Sequence, residues 1–326
     1  MKISRKTFVR GATATLALTA SAGFGIIAPK RSTAEAHKLE TDTLKVREIA
    51  PGIFVHQGVH ELYTPQNAGD ISNASFIIGK DSVAVIDTGG TYLVGMALKR
   101  AIRNQTDRPI RYVINTHMHP DHVFGNAAFK PDKPEFVAHY KMARGLAARA
   151  KRYLAINKKN AGEKAFKGTQ VVLPTRGIKI HETIDLGGRE LLLEPQPTAH
   201  TDNDLVITDT NTKTLFAGDL LFSGHCPVID GSILGWLQVI DKLSKKPSAR
   251  VVPGHGPAAM TWPDALKPER RYLQTITDEV RSRIAKGDTL RNAMETVAPG
   301  EKKNWVLFEE FHKRNIATAF AELEWE

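Results

Sequence analysis

Four short apolar runs in this chain are each followed closely by a side chain that can bind a metal ion. The runs lie at 110–115, 191–193, 215–217 and 251–252, and the side chains after them are His117, His200, Asp219 and His255. Rigid strands hold ligands more accurately than free loops do. The pattern therefore predicts a sheet-based fold in which several strand ends deliver ligands to one place.

The densest group of such side chains comprises His117, His119, Asp121 and His122. Neutral imidazole and carboxylate are good ligands for zinc and related divalent ions. His117 and His119 are two residues apart, so in an extended backbone they point to the same side. Pro120 stiffens the following turn, which lets Asp121 and His122 face a second position. A chance cluster of surface histidines is the weaker interpretation, because metal sites are built at strand ends.

These candidate ligands divide into two sets of three, one for each of two metal ions. The sets are His117, His119 and His200, and Asp121, His122 and His255. Asp219 could bridge both ions, because one carboxylate has two oxygens. Paired ions about 3.5–4 Å apart can share a water whose pKa falls to about 7, and the resulting hydroxide attacks a carbonyl-type centre. Asp121 could also orient this nucleophile, and a site with one metal stays open.

Asp87 follows a further apolar run at 83–86. Its carboxylate could hydrogen-bond the ligand loop from behind, where such partners typically change metal affinity or activity about 10–100-fold. It could equally be a turn-forming residue before Thr88 and Gly89. The sequence leaves both interpretations open.

The remaining chain alternates between strand-like and helix-like segments. We expect strands within 45–57 and 74–87, with a hairpin turn at 79–81, and at 135–139, 190–194, 205–209, 213–217 and 250–252. We expect helices at 91–104, 141–155, 265–286, 290–297 and 308–323, with a loop from 156 to 167. This order predicts an α/β layered fold, with residues 37–326 forming a single domain that ends in a helical segment.

Residues 1–36 resemble an export signal. A basic start at 1–10 precedes a small and apolar run, and Ala34, Glu35 and Ala36 offer a cleavage site of the small-x-small type. Residues 4–10 resemble a twin-arginine signal, but Lys6 replaces the second arginine, so the general export route stays open. We expect a periplasmic or secreted protein with no stable membrane insertion after cleavage, because the run is rich in alanine, glycine and threonine.

The cysteine count and the net charge limit which kinds of site and partner we expect. Cys226 is the only cysteine, which excludes an internal disulfide and a zinc site built from several thiolates. The formal net charge is +10, but half of it lies in the first 36 residues. The positive charge on the other residues is weak evidence for a nucleic-acid partner, which we do not expect. It is compatible with a small anionic substrate. The oligomeric state stays open.

The order of these ligands resembles that of the metallo-β-lactamase superfamily. The resemblance rests on the His-x-His-x-Asp-His pattern at 117–122, on His200, Asp219 and His255, and covers most of residues 45–258. It implies an αββα sandwich of two mixed β-sheets flanked by helices, with the site at one edge of the sheets. It also implies a hydrolase with two zinc ions, or iron or manganese, acting on a small-molecule ester, thioester, lactone or amide.

Within this superfamily the closest resemblance is to exported zinc hydrolases associated with quinoprotein dehydrogenase and sulfur-oxidation genes. It rests on the export segment and on residues 199–204 and 311–324. A β-lactamase is one alternative, although the most common zinc subclass usually has cysteine where Asp219 stands and lysine where Phe222 stands. A mononuclear iron dioxygenase acting on sulfur compounds is another. A non-catalytic binding module is disfavoured because no ligand is missing.

Other residues carry weaker signals. His225 and Cys226 follow Asp219 closely and could line the pocket, although a lone cysteine is more often part of the packing. Trp236 and Leu237 could contact substrate, with core packing as the alternative. The basic stretch at 141–167 could steer an anion or form a solvated helix face. The histidines without partners at metal spacing are expected to be structural or at the surface: His56, His60, His139, His181 and His312.

Overall fold

Alternate residues of the central strands face two different layers. The computed structural model describes residues 42–326, so the export segment predicted at 1–36 lies outside the described residues. In the strand 83–86, Val83 and Val85 pack on helices, whereas Ala84 and Ile86 pack against a second sheet. This alternation is what a strand buried on both faces requires, because successive side chains point to opposite sides.

The first sheet has seven strands whose spatial order follows the chain. They are β1 (Val46–Ala50), β2 (Ile53–His56), β3 (Ala74–Ile78), β4 (Val83–Ile86), β5 (Ile110–Ile114), β6 (Glu135–His139) and β7 (Arg176–Ile178). Strands β1 to β4 pair antiparallel, and β4 to β7 pair parallel. The carboxyl ends of β4 and β5 therefore meet at one edge, just before the histidine run.

The second sheet has five strands. They are β8 (Glu182–Asp185), β9 (Glu190–Pro195), β10 (Leu205–Asp209), β11 (Thr214–Phe222) and β12 (Arg250–His255). All neighbours pair antiparallel except β11 and β12, which are parallel. This parallel pair brings Asp219 and His255 to the same end of the sheet.

Helices cover the outer face of each sheet. The first sheet carries α1 (Tyr92–Arg103), the short α2 (Pro120–Val123), a 3₁₀ segment (Phe124–Asp132) and α3 (Met142–Phe166). The second carries α4 (Ile233–Leu243), α5 (Lys267–Ala285), α6 (Leu290–Thr296) and α7 (Phe308–Leu323), with 3₁₀ segments at Asp264–Leu266 and Pro299–Asn304. A third apolar cluster fills the space between the sheets. The predicted αββα sandwich of two mixed sheets is confirmed. Within the described range no helix has the length and apolarity to cross a bilayer.

Three local predictions were wrong. Residues 156–166, predicted as a loop, continue α3 across a non-helical Gly162, because Ala161, Ala165 and Phe166 pack into the core under the first sheet. Asp219 lies within β11 rather than in a loop after it. Residues 116–118 form a bend instead of an extended segment, so His117 and His119 do not meet through strand alternation.

The buried pair His56–Asp70 ties β2 to the loop that precedes the site. His56 Nε2 lies 2.7 Å from Asp70 Oδ1, and both side chains are less than a tenth exposed. Burial alone would lower the pKa of His56, but the hydrogen bond and negative charge of Asp70 outweigh it and raise that pKa above its usual value. The charged pair therefore stabilises the fold below pH 6.5 and loses this contribution as the pH rises through the raised pKa.

We expect Asp70→Asn to reduce the free energy of unfolding by about 1.5–3 kcal/mol at pH 6, the usual value of a hydrogen bond to a charged group. The reduction should shrink at pH 9, where His56 is less charged in the unsubstituted protein. Urea unfolding at both pH values measures it, with Asp107→Asn, an exposed site, as control. Equal losses at pH 6 and pH 9 would contradict the charged pair.

Candidate metal centre

Each of the five histidines in the candidate site has one ring nitrogen held by a neighbour outside the site. His200 Nδ1 donates to the Val228 carbonyl oxygen at 2.7 Å, and His255 Nδ1 donates to that of Ile71 at 2.8 Å. His117 Nδ1 lies 3.0 Å from the Thr116 hydroxyl. Such outer bonds fix both the tautomer and the orientation of a ligating ring. The second nitrogen of each ring is left to face the centre.

The two predicted ligand sets form two groups in space. Atoms of His117, His119, His200 and Asp219 all lie within 4.8 Å of one another, and so do those of a second group, Asp121, His122 and His255. In the first group, His119 Nδ1 lies 3.0 Å from His200 Nε2. In the second, Asp121 Oδ2 lies 3.4 Å from His122 Nε2 and 3.3 Å from His255 Nε2.

Asp219 contacts both groups. Its Oδ2 lies 3.7 Å from His117 Nε2 and 3.5 Å from His200 Nε2 in the first group. The same oxygen lies 3.4 Å from His255 Nε2, and Oδ1 lies 3.1 Å from His122 Nε2, in the second. All seven residues chosen from the sequence are therefore brought together, with Asp219 between the two groups.

Buried polar atoms in this centre lack partners. Within residues 42–326, His117 Nε2, His122 Nε2 and Asp219 Oδ1 are buried and make no hydrogen bond, since the last two, although 3.1 Å apart, are not aligned for one. An unsatisfied buried polar atom costs about 1–3 kcal/mol, and more when the group is charged. All three belong to the two ligand groups, where a cation would satisfy them. Five imidazoles and two carboxylates are a donor set that suits zinc, iron or manganese, so the residues fit divalent metal ions.

The electrostatics of the centre also favour cations. Burial lowers the pKa of His200 to about 3, so the ring is neutral and free to act as a ligand. Burial would likewise lower the pKa of His255, but Asp219 and Asp121 outweigh it and raise that pKa to about 9. Burial would raise the pKa of Asp219, but the neighbouring histidines, His122 foremost, hold it well below its usual range. The site thus stabilises positive charge.

Asp87 supports the ligands from behind. Its carboxylate accepts hydrogen bonds from the Thr116 backbone N–H at 2.9 Å and the Thr116 hydroxyl at 2.7 Å. It also lies 2.8 Å from His122 Nδ1. Of the two interpretations left open by the sequence, the structure favours support of the ligand loop.

Asp230 is a residue of the site that the sequence did not single out. Its Oδ2 lies 3.0 Å from His119 Nε2 and accepts a hydrogen bond from Arg149, and its Oδ1 lies 3.4 Å from Arg314. Burial would raise the pKa of Asp230, but His119 and Arg149 outweigh it and lower that pKa. The partners are 111 residues apart and no motif marks Asp230, so only the folded chain reveals it.

Glycine is required at position 254 by the position of Asp219. A Cβ on Gly254 would lie 1.9 Å from Asp219 Oδ1, which is far inside contact distance. Gly254 directly precedes the ligand His255 in β12. Its missing side chain therefore lets the two strands bring a carboxylate and an imidazole together.

The residues with weaker sequence signals lie at the edge of the site or in the core. His225 lines the pocket beside His255, with ring centroids 4.8 Å apart. Cys226 is buried and donates to the Tyr272 hydroxyl at 3.4 Å, which fits a packing role. Trp236 is fully buried behind His200 in the core, and Leu237 belongs to the same apolar cluster.

The histidines expected to be structural or at the surface have the following places. His56 pairs with Asp70, and His312 lies between the Tyr272 hydroxyl and the Val297 carbonyl. His139 is buried and accepts from the backbone N–H of Lys141, whereas His181 is exposed. His60 packs edge-on against His225, with ring centroids 5.9 Å apart.

A pocket of about 700 Å³ opens over the centre. Asp121, Asp219 and His255 form part of its floor, and side chains of α3 and α7 form part of its walls. Such a volume is in the range of small-molecule sites.

Comparisons with known proteins agree with this geometry. Residues 67–255 match the sequence profile of the metallo-beta-lactamase superfamily. The fold is similar to a metallo-beta-lactamase from Pontibacter korlensis, with 21% identity over 71% of this chain and 99% of that chain, at a TM-score of 0.56. It is similar to one from Hirschia baltica, with 19% identity over 71% and 98%, at 0.55.

A further similar structure is the stereoselective inverting sec-alkylsulfatase Pisa1 from Pseudomonas sp. It shares 18% identity over 86% of this chain, at a TM-score of 0.64, and the match spans 50% of the sulfatase chain. No curated protein matched.

The chain belongs to the metallo-β-lactamase superfamily. It is a metal-dependent hydrolase of that superfamily, with a His/Asp centre that fits divalent metal ions. The comparisons do not test the resemblance to exported zinc hydrolases, so that assignment stays a prediction.

We expect Asp230→Asn to lower metal affinity about 10–100-fold, as loss of an outer carboxylate partner usually does. His119 would lose the charged acceptor that orients its ring. Chelator competition followed by elemental analysis measures the affinity, and Asp107→Asn is a control that removes the same charge at an exposed site. Unchanged affinity in Asp230→Asn would show that His119 does not need this partner.

Gly254→Ala should lower metal occupancy, because its methyl group displaces the Asp219 carboxylate. We expect a loss of affinity of about tenfold or more, by analogy with loss of an outer partner. Gly300→Ala is the matched control, since a Cβ there meets no atom within 4 Å. If both variants bound metal equally well, the close packing of Gly254 on Asp219 would have no functional role.

Proposed function

We propose that this protein is a dinuclear zinc hydrolase that cleaves an ester, thioester, lactone or amide bond of a small molecule. The observation that carries the proposal is the position of Asp219, whose two oxygens contact both ligand groups. One group alone would suffice for a single ion. A complete second group joined through a shared carboxylate supports a two-metal centre.

The chain's own residues have distinct roles in this proposal. The first group is His117, His119 and His200, and the second is Asp121, His122 and His255. Divalent ions held there would supply hydroxide at neutral pH and would stabilise negative charge that develops on the substrate. Asp121 lines the pocket and is held ionised by its histidine neighbours, which keep its pKa well below the usual range against the effect of burial. It can therefore orient the attacking water by accepting a hydrogen bond from it.

Hydrolysis of β-lactams is the less favoured alternative. The position where the common zinc β-lactamases usually carry lysine is Phe222, whose ring stacks on His255 with centroids 5.0 Å apart. Phe222 is 2% exposed, so this position offers no cation for a drug carboxylate. A mononuclear iron dioxygenase would not need the second ligand group.

We also propose that the enzyme acts in the periplasm or outside the cell. The support is the basic start, the small-residue run and the small-x-small site within residues 1–36.

Elemental analysis of the purified mature protein, combined with a panel of ester, thioester, lactone, lactam and sulfate ester substrates, tests the proposal. We expect two zinc ions per chain, turnover of at least one carbonyl substrate, and no hydrolysis by His119→Ala. Asp219→Ala should lose mainly the second ion, because the shortest contact of Asp219 is with that group: Oδ1 lies 3.1 Å from His122 Nε2, against 3.5 Å or more to the first group. One iron per chain with oxygen uptake would contradict the hydrolase, and full retention of two metals by Asp219→Ala would contradict bridging.

A further inference from the structure

Two helices form part of the pocket wall and contribute none of the candidate metal ligands. On α3, residues at three- and four-residue spacing face the pocket, and α7 adds two more beyond the segment that matches the superfamily. Such spacing places side chains on one face of a helix. The side chains that matter here are Arg149, Arg152, Tyr153 and Ile156 of α3, and Phe311 and Arg314 of α7.

Three arginines line the pocket together with two carboxylates that belong to neither ligand group, Glu61 and Asp230. Arg149 and Arg314 share the single carboxylate of Asp230, which also contacts His119. Arg152 is exposed and makes no salt bridge with any residue in the range 42–326. Glu61 likewise makes no salt bridge within the described residues. Outside the ligand groups the pocket thus carries three guanidinium groups and two carboxylates, and Arg152 is the guanidinium that no carboxylate in the described part of the chain contacts.

The same pocket has an apolar wall. Leu62 and Ile156 are 42% and 43% exposed. Both face the pocket, together with Val228 and Phe311. A ligand that covered this wall would bury apolar surface while its charged end met Arg152.

We propose that Arg152 binds an anionic oxygen group, a carboxylate or a sulfonate-like group, on an amphipathic substrate whose apolar part lies against Leu62, Ile156 and Phe311. The inference rests on the proposed hydrolase, because it describes the substrate of the same site. Guanidinium suits this task, since its planar fork donates two parallel hydrogen bonds to such groups.

The geometry separates the anionic group from the bond that is cleaved. Arg149 is held by Asp230 beside His119, and Arg152 lies three residues further along α3. Three residues of an α-helix span about 4.5 Å. Arg152 thus lies about one helical turn from Arg149, and it contacts none of the candidate metal ligands, which leaves those ligands for the reacting bond.

Two fluorescent dyes test this subsite without requiring turnover. The anionic dye 8-anilinonaphthalene-1-sulfonate and the neutral dye N-phenyl-1-naphthylamine share an apolar body and differ in the sulfonate. We expect Arg152→Gln to weaken binding of the anionic dye about fivefold, the size of one exposed ion pair, and to leave the affinity for the neutral dye unchanged. Arg152→Lys should retain part of the affinity, and added salt should reduce the difference between the dyes.

Lys151→Gln is the matched control. It removes the same charge from the adjacent residue of α3, which is exposed and does not line the pocket. We expect it to change neither dye's affinity, whereas Ile156→Ser should weaken both. Equal effects of Arg152→Gln and Lys151→Gln, or equal loss of both dyes in Arg152→Gln, would overturn the subsite.

Competition experiments distinguish a carboxylate from a sulfate as the anionic group of the ligand. An aliphatic dicarboxylate monoester and an alkyl sulfate of equal length are each titrated against the bound anionic dye. Displacement that depends on Arg152 supports the subsite and shows which group it prefers, and displacement that is independent of Arg152 overturns it. If no carbonyl substrate is hydrolysed while Arg152 still discriminates between the dyes, the proposed reaction fails and the subsite stands.

Discussion

Each candidate ligand ring is held from its outer side by a hydrogen-bonding partner, and the rest of the site depends on this constraint. Five histidines with free rotation could not converge on one space, because each side chain would lose conformational entropy without a defined partner. Carbonyl, hydroxyl and carboxylate oxygens of Val228, Ile71, Thr116, Asp87 and Asp230 supply those partners. The inner nitrogens then face Asp219, and the buried atoms without partners define where cations fit.

The sequence predicted the sandwich and the grouping of the candidate ligands well, because both depend on local patterns. An apolar run followed by His117 or His255 indicates a strand end, and the alternation in residues 83–86 is preserved as two-sided burial. Asp230 was not predictable, because its partner His119 is distant in the chain. The second half of α3 was missed because its polar composition hides the few residues, such as Ala161, that pack on the core.

The fold divides the functions of the site between two sources. Strand ends and the adjoining loops supply the candidate metal ligands, whereas α3 and α7 supply part of the pocket wall. Asp230 joins the two, since it contacts His119 on one side and Arg149 on the other. A change in the helices can therefore alter which molecule is bound without moving the ligands, which agrees with the many reactions that one fold can support.

The central claim is that seven side chains hold two divalent cations that share Asp219. Anomalous diffraction at the zinc edge, from crystals of the zinc-loaded protein, tests it most directly. The account predicts two peaks about 3.5–4 Å apart, one among His117, His119 and His200 and the other among Asp121, His122 and His255, with Asp219 between them. A single peak, or two peaks that lie outside these groups, would contradict it.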